Sequence, residues 1–437
     1  MIRHKHQTIL GDIPSDWDAR PLRSLLADEL SGDWGDDEGE VTLSVLRSTN
    51  FTDSGNLKLD DVAKRGFTRT KAEQVQVQPN DILVERSGGG PNQPVGRVAM
   101  IREEMPDTGF ANFVQTLRPD STKISPELLL WTLHQLNRSG YVEKLQHQTT
   151  QMRNLDLRDY LKVLVPVPRD SKEQTRIAEA LSAADDHIRA LEEQLRKAER
   201  VKKGLVEQGT TIGLNASAAT KITNRYRCNF MVNANWEQIE LRTLKPQIDY
   251  GTNQSSNDHR SGVPVIAIPQ VIASRFVLGE LPFADVPDQE RDTLALKPHD
   301  VLVVRTNGNP SYIGRSTVIP EGVLDGLTIF ASYLIRIRLD ESRLRGAFLN
   351  YVLLSQTGRR QSTCLANTSA GNFNLGARSL SKFLIPLPRP EEQDEIIEAL
   401  NAADDLVLDL QNQLTAARRV KQSLLQNLLT GKIRLKP

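Results

Sequence analysis

The sequence predicts an α+β fold in which two related mixed α/β domains are separated by two long helices that form an antiparallel coiled coil, giving a pseudo-two-fold internal repeat. Three observations predict this fold. A helical segment recurs almost unchanged 219 residues along the chain, both copies carry a heptad pattern of apolar residues, and short β-rich runs fill the sequence before each copy. The length of 437 residues is enough for about three domains of roughly 150 residues each.

The repeat divides the chain into two halves. Residues 173–205 and 392–424 are identical at 18 of 33 aligned positions, which chance does not produce. Upstream, QPNDILVERSGG at 78–89 matches KPHDVLVVRTNG at 297–308. From these matches we predict a first domain at 12–168, a central helical spacer at 169–214, a linker at 215–232, a second domain at 233–388 and a C-terminal helical spacer at 389–437.

Both domains are predicted to be rich in short strands. The clearest helical pattern in the first domain covers 125–145, and the linker is assigned from its content of Ala, Ser, Thr and Asn. β-rich runs punctuated by Gly, Pro and Asn occur at 75–78, 81–85, 95–101, 300–304 and 333–339.

In both helical spacers, apolar residues alternate at spacings of four and three, as at the a and d positions of a coiled coil. A charged step interrupts each series, at Lys202 in the first and Lys421 in the second. The simplest arrangement pairs the two seams with each other, and the alternative is two amphipathic helices packed on separate cores. The predicted seam residues are Ile177, Leu181, Ile188, Leu191, Leu195, Ile396, Leu400, Val407, Leu410 and Leu414.

Composition and motifs argue against several classes of protein. Lys plus Arg and Asp plus Glu both total 55, so the net charge gives no sign of a nucleic-acid or membrane partner. Two cysteines are too few for a disulfide framework, and no apolar stretch approaches the ~18 residues of a membrane span, so we expect a cytoplasmic protein without metal or membrane partner.

The sequence also lacks the motifs of a catalytic centre. Neither a GxxxxGK[ST] phosphate loop nor an HExxH zinc pair is present. Residues 309–312, Asn-Pro-Ser-Tyr, are similar to the Asn-Pro-Pro-Tyr loop of adenine methyltransferases but lack its second proline. We therefore predict that the chain has no catalytic residues.

The two halves end in a shared pattern that carries a resemblance. Each ends in alternating apolar residues and prolines (VLVPVPR at 163–169, FLIPLPR at 383–389), a Glu-Gln pair and the heptad helix, and each domain opens with a Trp-containing segment. Over residues 12–435 this pattern resembles the specificity subunit of type I restriction–modification systems. The resemblance implies two target recognition domains, each reading one half of a split target in double-stranded DNA. It also implies that the helices set the distance between half-sites and dock two modification (methyltransferase) subunits.

The resemblance further implies that this chain is not an enzyme. In such complexes, adenine methylation uses S-adenosylmethionine on the modification subunit, and ATP- and Mg-dependent cleavage belongs to restriction/translocase subunits where these are present. We therefore expect no cofactor in this chain. The rival interpretation is a coiled-coil scaffold with two protein-binding modules, which would show no requirement for DNA.

Base-reading residues are expected where the two domains differ in sequence. Arg, Asn and Gln make bidentate contacts to guanine or adenine, each worth about 1–3 kcal/mol of discrimination. Arg86 and Arg305, just before the glycine loops, are expected to contact phosphate or to form structural ion pairs. The alternative for every candidate is a solvated loop. The candidates are Lys64, Arg65, Arg69 and Lys71 in the first domain, and Asn253, Gln254, Asn257 and Arg260 in the second.

The charge of each domain bears on how tightly DNA would bind. Residues 12–168 contain 18 Lys/Arg and 24 Asp/Glu, and residues 233–388 contain 16 and 14. A protein that neutralises several phosphates usually has a clear basic surplus. We therefore expect the chain by itself to bind DNA weakly, with the modification subunits supplying much of the phosphate contact.

Overall fold

The structure, a computed structural model, describes residues 7–52, 55–89, 94–148, 152–215, 219–223, 229–257, 259–272, 276, 278–369 and 372–435. The chain folds as two compact units. Unit 1 comprises Met1–Glu192 and Asn412–Pro437, and unit 2 comprises Glu193–Gln411. Each unit therefore contains one mixed α/β domain and part of each long helix.

The strands of unit 1 are short. Its helices are α1 (Arg69–Val75), α2 (Pro126–Arg138), α3 (Leu157–Tyr160) and the first half of α4 (Ser171–Thr211). The strands are β1 (Gln7–Thr8), β2 (Gly11–Asp12), β3 (Trp17–Pro21), β4 (Leu26–Ser31), β5 (Val41–Leu46), β6 (Ala63–Phe67), β7 (Ile82–Glu85), β8 (Ser87–Gly89), β9 (Val98–Met100), β10 (Thr108–Phe110), β11 (Val114–Pro119), β12 (Gln146–Gln148), β13 (Arg153–Leu155) and β14 (Leu164–Pro168).

Unit 2 repeats most of this element order. Its helices are α5 (Ile268–Ile272), α6 (Asp288–Leu294), α7 (Gly346–Leu354), α8 (Gln356–Leu365), α9 (Ala377–Leu380) and most of α10 (Pro390–Leu428). Helices α5 and α8 stand where unit 1 has short 3-10 helices. The strands are β15 (Ala219–Thr223), β16 (Asn229–Asn233), β17 (Glu237–Glu240), β18 (Gln247–Tyr250), β19 (Val263–Ile266), β20 (Phe283–Ala284), β21 (Val301–Val304), β22 (Thr306–Asn307), β23 (Ser316–Val318), β24 (Ile329–Phe330), β25 (Leu334–Arg338), β26 (Asn367–Ser369), β27 (Asn372–Asn374) and β28 (Leu384–Leu387).

The main sheets of the two units have the same topology. A four-stranded antiparallel sheet has the order β4-β11-β7-β9 in unit 1 and β18-β25-β21-β23 in unit 2. A second, three-stranded sheet places one parallel and one antiparallel neighbour on its central strand, β5 in unit 1 and β19 in unit 2. The two sheets of each unit share a core, which includes residues of β5 and β7 in unit 1 and of β19 and β21 in unit 2.

Each four-stranded sheet is stabilised by its own ion pair, and the two pairs are equivalent. Arg118 on β11 donates to the buried Asp81 at 2.8 Å, and Arg338 on β25 donates to the buried Asp300 at 2.7 Å. Both aspartates also accept a backbone N–H three residues earlier, at 2.8 Å in each case. Because a buried carboxylate is stable only when it is paired and hydrogen-bonded, these contacts give both aspartates a structural role.

In unit 1, the first half of α4 and the end of α10 run in opposite directions. Asp185 pairs with Lys421 at 2.5 Å and Glu192 pairs with Arg418 at 2.7 Å. Residue numbers therefore increase along α4 in the direction in which they decrease along the facing α10. The Lys421 ammonium also lies 4.5 Å from the centre of the Trp131 ring on α2. The predicted seam residues in this unit, Ile177, Leu181, Ile188, Leu191 and Leu414, are all buried.

In unit 2, the second half of α4 and the first part of α10 also run in opposite directions. Lys202 pairs with Asp404 at 2.5 Å, and a Cβ added at Gly209 would lie 3.1 Å from Cγ2 of Ile396. Asp404 also accepts a hydrogen bond from the Tyr351 hydroxyl on α7 at 2.8 Å. The two charged steps of the heptad series therefore each meet an aspartate of the other helix. The predicted seam residues here are Ile396, Leu400, Val407 and Leu410, which are buried, and Leu195, which is half-buried.

The larger core of unit 1 depends on residues from both ends of the chain. Trp17 and Trp131 are 1% exposed, and they belong to the same core as Leu425 and Leu428 near the end of α10. Burying one leucine side chain contributes about 1.5–3 kcal/mol. The last turns of α10 are therefore a substantial part of the stability of unit 1.

Three local predictions differ from the structure. Residues 75–78, expected as a strand, are the end of α1 and an irregular segment, because the Thr68 side chain caps a helix that runs through Val75. The helix expected at 125–145 ends at Arg138, because Gly140 adopts a φ of 72°, and a short 3-10 helix follows. The described part of the linker at 215–232 contains strands β15 and β16, which pair in antiparallel register. Composition did not predict this hairpin.

Candidate nucleic-acid interface

The loop after β18 in unit 2 is fixed to the end of the four-stranded sheet. A Cβ at Gly251 would lie 2.2 Å from the Phe330 carbonyl oxygen, so only glycine allows this close approach. Thr252 then donates to the Phe330 carbonyl and accepts from the Ser332 N–H, each at 2.9 Å. The next two residues, Asn253 and Gln254, are exposed. The sheet therefore holds two amide side chains at a defined position on its edge.

Arg305 lies at the same end of this sheet. It follows β21, and its guanidinium carbon is 4.6 Å from the centre of the Tyr250 ring at the end of β18. Its Nη1 donates to the Ser332 carbonyl at 3.2 Å. Since Ser332 also bonds to the loop that carries Asn253 and Gln254, the structure brings these three predicted residues to one end of unit 2.

Two further candidates of unit 2 occupy the distal part of the same loop. The Asn257 side chain donates to the Ser261 carbonyl at 3.3 Å and accepts from the His259 N–H at 3.1 Å, so it stabilises the loop. Arg260 is exposed and has a positive φ of 56°. Arg260 is therefore accessible to a ligand, whereas Asn257 has an internal role in this structure.

In unit 1, the acidic loop at 33–40 lies against the predicted basic stretch. The Arg65 guanidinium pairs with Asp37, donates to the Trp34 and Gly35 carbonyls, and lies 5.1 Å from the Trp34 ring centre. Lys71 pairs with Asp33 at 3.2 Å. A hydrogen bond from the Gly35 N–H, together with Lys71, lowers the pKa of the Asp33 carboxyl.

The other basic candidates of unit 1 are more accessible. Lys64 on β6 and the Arg69 side chain at the start of α1 are exposed, and neither makes a side-chain ion pair within the described residues. Arg86 is half-buried, and its backbone bonds to Phe113 and Leu155. Exposed ion pairs are weak, typically about 0–1 kcal/mol, so Lys71, whose side chain is 41% exposed, can still exchange its carboxylate for phosphate. The Arg65 side chain is 19% exposed and is also held by two backbone carbonyls, so it is less accessible.

Sequence reasoning missed the exposed aromatic residues at these sheet ends. Phe113 is 40% exposed and its carbonyl accepts the Arg86 N–H at 2.8 Å, and Tyr333 is 56% exposed and accepts the Arg305 N–H at 2.9 Å. Tyr250, which stacks on Arg305, is 45% exposed. Phe113 and Tyr333 are 220 residues apart rather than 219, so an alignment at the fixed offset of the repeat does not match them.

Comparison with known proteins shows what this chain is similar to. Residues 44–200 match the family model of the type I restriction modification DNA specificity domain. The chain is related to the specificity subunits of type I restriction–modification systems. The resemblance given by the repeated endings and heptad helices is thereby confirmed.

Relatives of this family cover nearly the whole chain. The type I restriction enzyme StySPI specificity subunit of Salmonella potsdam is 22% identical over 90% of this chain and 82% of its own length. The type I restriction enzyme EcoKI specificity subunit of Escherichia coli is also 22% identical, over the same shares. A putative type I restriction enzyme MjaX specificity subunit of Methanocaldococcus jannaschii is 23% identical over 98% of this chain and 96% of its own.

Two solved structures share the fold of this chain. The type I restriction–modification S subunit of M. genitalium matches with a TM-score of 0.57 at 14% identity, covering 97% of this chain and 99% of that one. A chain from a study of complex assembly and conformational transition of the type I R-M system matches with a TM-score of 0.56 at 15% identity, covering 97% and 100%. No helix within the described residues is long and apolar enough to span a membrane.

Proposed function

We propose that this chain is the DNA sequence-specificity subunit of a type I restriction–modification complex, with each domain reading one half of a bipartite target in double-stranded DNA. The observation that carries the proposal is that the four-stranded sheets of the two units end in equivalent loops that carry different side chains. In unit 2 a glycine is followed by the exposed amides Asn253 and Gln254, and in unit 1 the glycine at 32 is followed by Asp33 and Trp34.

A shared scaffold with divergent edges is suited to reading two different half-sites. The buried ion pairs Asp81–Arg118 and Asp300–Arg338 hold both sheets in the same way, so differences at the edges do not alter the fold. Amide and guanidinium groups on a fixed edge can form bidentate contacts with bases in the major groove. Basic side chains such as Lys64 and Arg69 position the protein on phosphates, without reading sequence.

The helices are proposed to form an antiparallel coiled coil that sets the spacing between the half-sites and docks two modification subunits. Opposite helix directions and Lys–Asp contacts at the charged steps, seen within each unit, support this proposal. Polar residues in an apolar seam favour one register over others. A heptad inserted into α4 at 185–200 is expected to change or abolish the recognised spacing.

In this proposal the chain works in the cytoplasm and performs no chemistry. S-adenosylmethionine acts on the modification subunits, and ATP and Mg act on restriction/translocase subunits in systems that also cleave DNA. None of these cofactors is assigned to this chain. The weak DNA binding expected of the isolated chain agrees with the engagement of Arg65 and Lys71 by acidic neighbours.

The decisive experiment is a methylome. The chain and its modification subunit are expressed in a methylation-free host, each is omitted in turn, and the DNA is sequenced with detection of modified bases. We expect adenine methylation at a split, asymmetric motif only when both are present. Methylation by this chain alone would identify an enzyme. Absence of methylation with both proteins folded and co-purifying would favour the scaffold.

Paired variants test the assignment of half-sites to units. The double substitution Asn253→Ala, Gln254→Ala is expected to relax or shift one half of the methylated motif only. Lys64→Ala in unit 1 provides the matched comparison, because loss of a phosphate contact weakens binding without changing which bases are read. A change in both halves of the motif from the loop variant would contradict the assignment.

A further inference from the structure

Unit 1 contains an arginine clamp close to the start of α4. The Arg434 guanidinium, from the segment after α10, donates to Glu173 and, at 2.9 and 3.1 Å, to the two carboxylate oxygens of Asp16. It also lies 5.7 Å from the centre of the Trp17 ring. Trp17 in turn donates from Nε1 to Glu173 at 3.3 Å. Asp16, Trp17 and Glu173 thus form one recognition unit for a guanidinium.

The same tryptophan–glutamate pair is present at the start of α10 in unit 2. Trp236 donates from Nε1 to Glu392 at 3.1 Å, and both residues stand 219 positions after their counterparts in unit 1. At the same offset, the position of Arg434 corresponds to Asn215. In the part of unit 2 that the structure describes, no cationic side chain pairs with Glu392. Glu173 is only 4% exposed beneath its arginine, whereas Glu392 is half-buried.

A cavity of about 590 Å³ opens beside this glutamate. Its walls include Trp236, Glu392 and Asn215, together with Glu395 one turn along α10. Glu395 stands where unit 1 has Arg176, so a cation of unit 1 is replaced by an acid here. The walls also include Arg343, which pairs with the third wall carboxylate, Glu237, at 3.3 Å, and the exposed Arg389. The wall therefore holds three carboxylates and two guanidinium groups, and within the described residues neither Glu392 nor Glu395 makes an ion pair.

We propose that this cavity binds the arginine side chain of another polypeptide. The guanidinium would pair with Glu392 and lie on the Trp236 ring, as Arg434 does with Glu173 and Trp17 within this chain. Asn235 takes the position of Asp16, so it would offer its amide oxygen in place of the second carboxylate. Arginine fits better than lysine because its planar fork matches a carboxylate and stacks on an aromatic face, whereas an ammonium is a point charge. Asn215 has neither the length nor the charge to fill the site from within the chain. The site is independent of which DNA sequence the two domains read.

Binding can be measured with a peptide that carries the arginine of the counterpart site in unit 1. Isothermal titration of the full-length protein would use an acetylated, amidated peptide of residues 430–435, which contains Arg434, and the same peptide with Arg434→Gln. We expect one peptide to bind per chain, with clear loss of binding for the glutamine peptide. Glu392→Gln keeps an oxygen for Trp236 but removes the charge, and it should weaken binding about tenfold, as expected for a charge-assisted hydrogen bond.

Two further variants separate this site from its counterpart in unit 1. Asn215→Arg should fill the cavity from within the chain, abolish peptide binding and raise the thermal midpoint. Glu173→Gln should lower the thermal midpoint without changing peptide binding. The proposal is overturned if the arginine and glutamine peptides bind equally, if Glu392→Gln and Asn215→Arg both leave binding unchanged, or if Glu173→Gln weakens it as strongly as Glu392→Gln.

Discussion

The contact between Lys421 and Asp185 offers a sharp test of the helix packing in unit 1. The Lys421 side chain is 9% exposed and that of Asp185 is 3% exposed, so the substitution Lys421→Met leaves a nearly buried carboxylate without its closest cation. Removing one partner of a buried ion pair typically costs about 3–5 kcal/mol. Arg189 at 3.5 Å and the Asn56 amide at 3.4 Å remain near Asp185, so we expect the lower end of this range, about 3 kcal/mol.

The matched substitution in unit 2 is Lys202→Met. Its partner Asp404 is 25% exposed and keeps the hydrogen bond from Tyr351, so we expect a loss of about 1 kcal/mol or less. Both variants are compared by urea unfolding, monitored by far-ultraviolet circular dichroism. In a double-mutant cycle, Asp185→Asn should cost much less in the Lys421→Met background than in the parent. If the two lysine variants lose the same free energy of unfolding, or if the double-mutant cycle shows no coupling, then burial does not explain the larger cost expected at Lys421.

Three other perturbations have clear expectations. Asp37→Asn removes the carboxylate that pairs with Arg65 and should tighten binding of duplex DNA about twofold in a fluorescence anisotropy salt series. Glu103→Gln is an equal change of charge at an exposed carboxylate that pairs with none of the basic candidates within the described residues, and it should have less effect. Hydrogen bonds, the strongest from the Lys123 ammonium and the next from Thr122, lower the pKa of the Asp120 carboxyl to about 2. The stability that this carboxylate contributes is therefore present above the unfolded pKa near 3.8 and is lost as the pH falls toward 2. Asp120→Asn should therefore lower the thermal midpoint at neutral pH, with a difference that narrows over that acidic window. Gly251→Ala should destabilise unit 2 by about 2–3 kcal/mol in urea unfolding, because the added Cβ would clash with the Phe330 carbonyl oxygen. Gly204→Ala on α4, where a Cβ meets no neighbouring atom, should instead stabilise the protein by about 1 kcal/mol.

Long-period patterns made the helices and the buried sheet strands predictable from the sequence. The heptad series placed α4 and α10, and short runs rich in apolar residues placed β7 and β21, in which every residue is buried. The prediction of a strand at 75–78 was wrong because Val75 and Val77 are both buried, so alternating burial reproduced the pattern of a strand. The Val77 N–H donates to the Thr108 carbonyl on β10 at 3.0 Å, but the segment does not pair with β10 as a strand. The hairpin of β15 and β16 was missed because its strands carry many polar residues.

The candidate interface was predictable by residue type but not by environment. Asn253, Gln254 and Arg305 were all named, yet only the structure shows that Ser332 connects the loop to the arginine. Likewise, nothing in the local sequence indicates that Arg65 pairs with an aspartate 28 positions earlier. Contacts that join distant segments depend on the path of the sheet, which local patterns do not encode.

The composition of unit 1 has a consequence for biosynthesis. Its first 192 residues leave the ribosome well before Leu425 and Leu428, which complete its larger core, whereas unit 2 is continuous in the chain. At roughly 5–20 residues per second, the intervening 219 residues take roughly 10–45 s to synthesise. Unit 2 should therefore become protease-resistant first during translation, although it lies later in the chain. A nascent chain arrested before residue 412 should expose an incomplete first unit to chaperones.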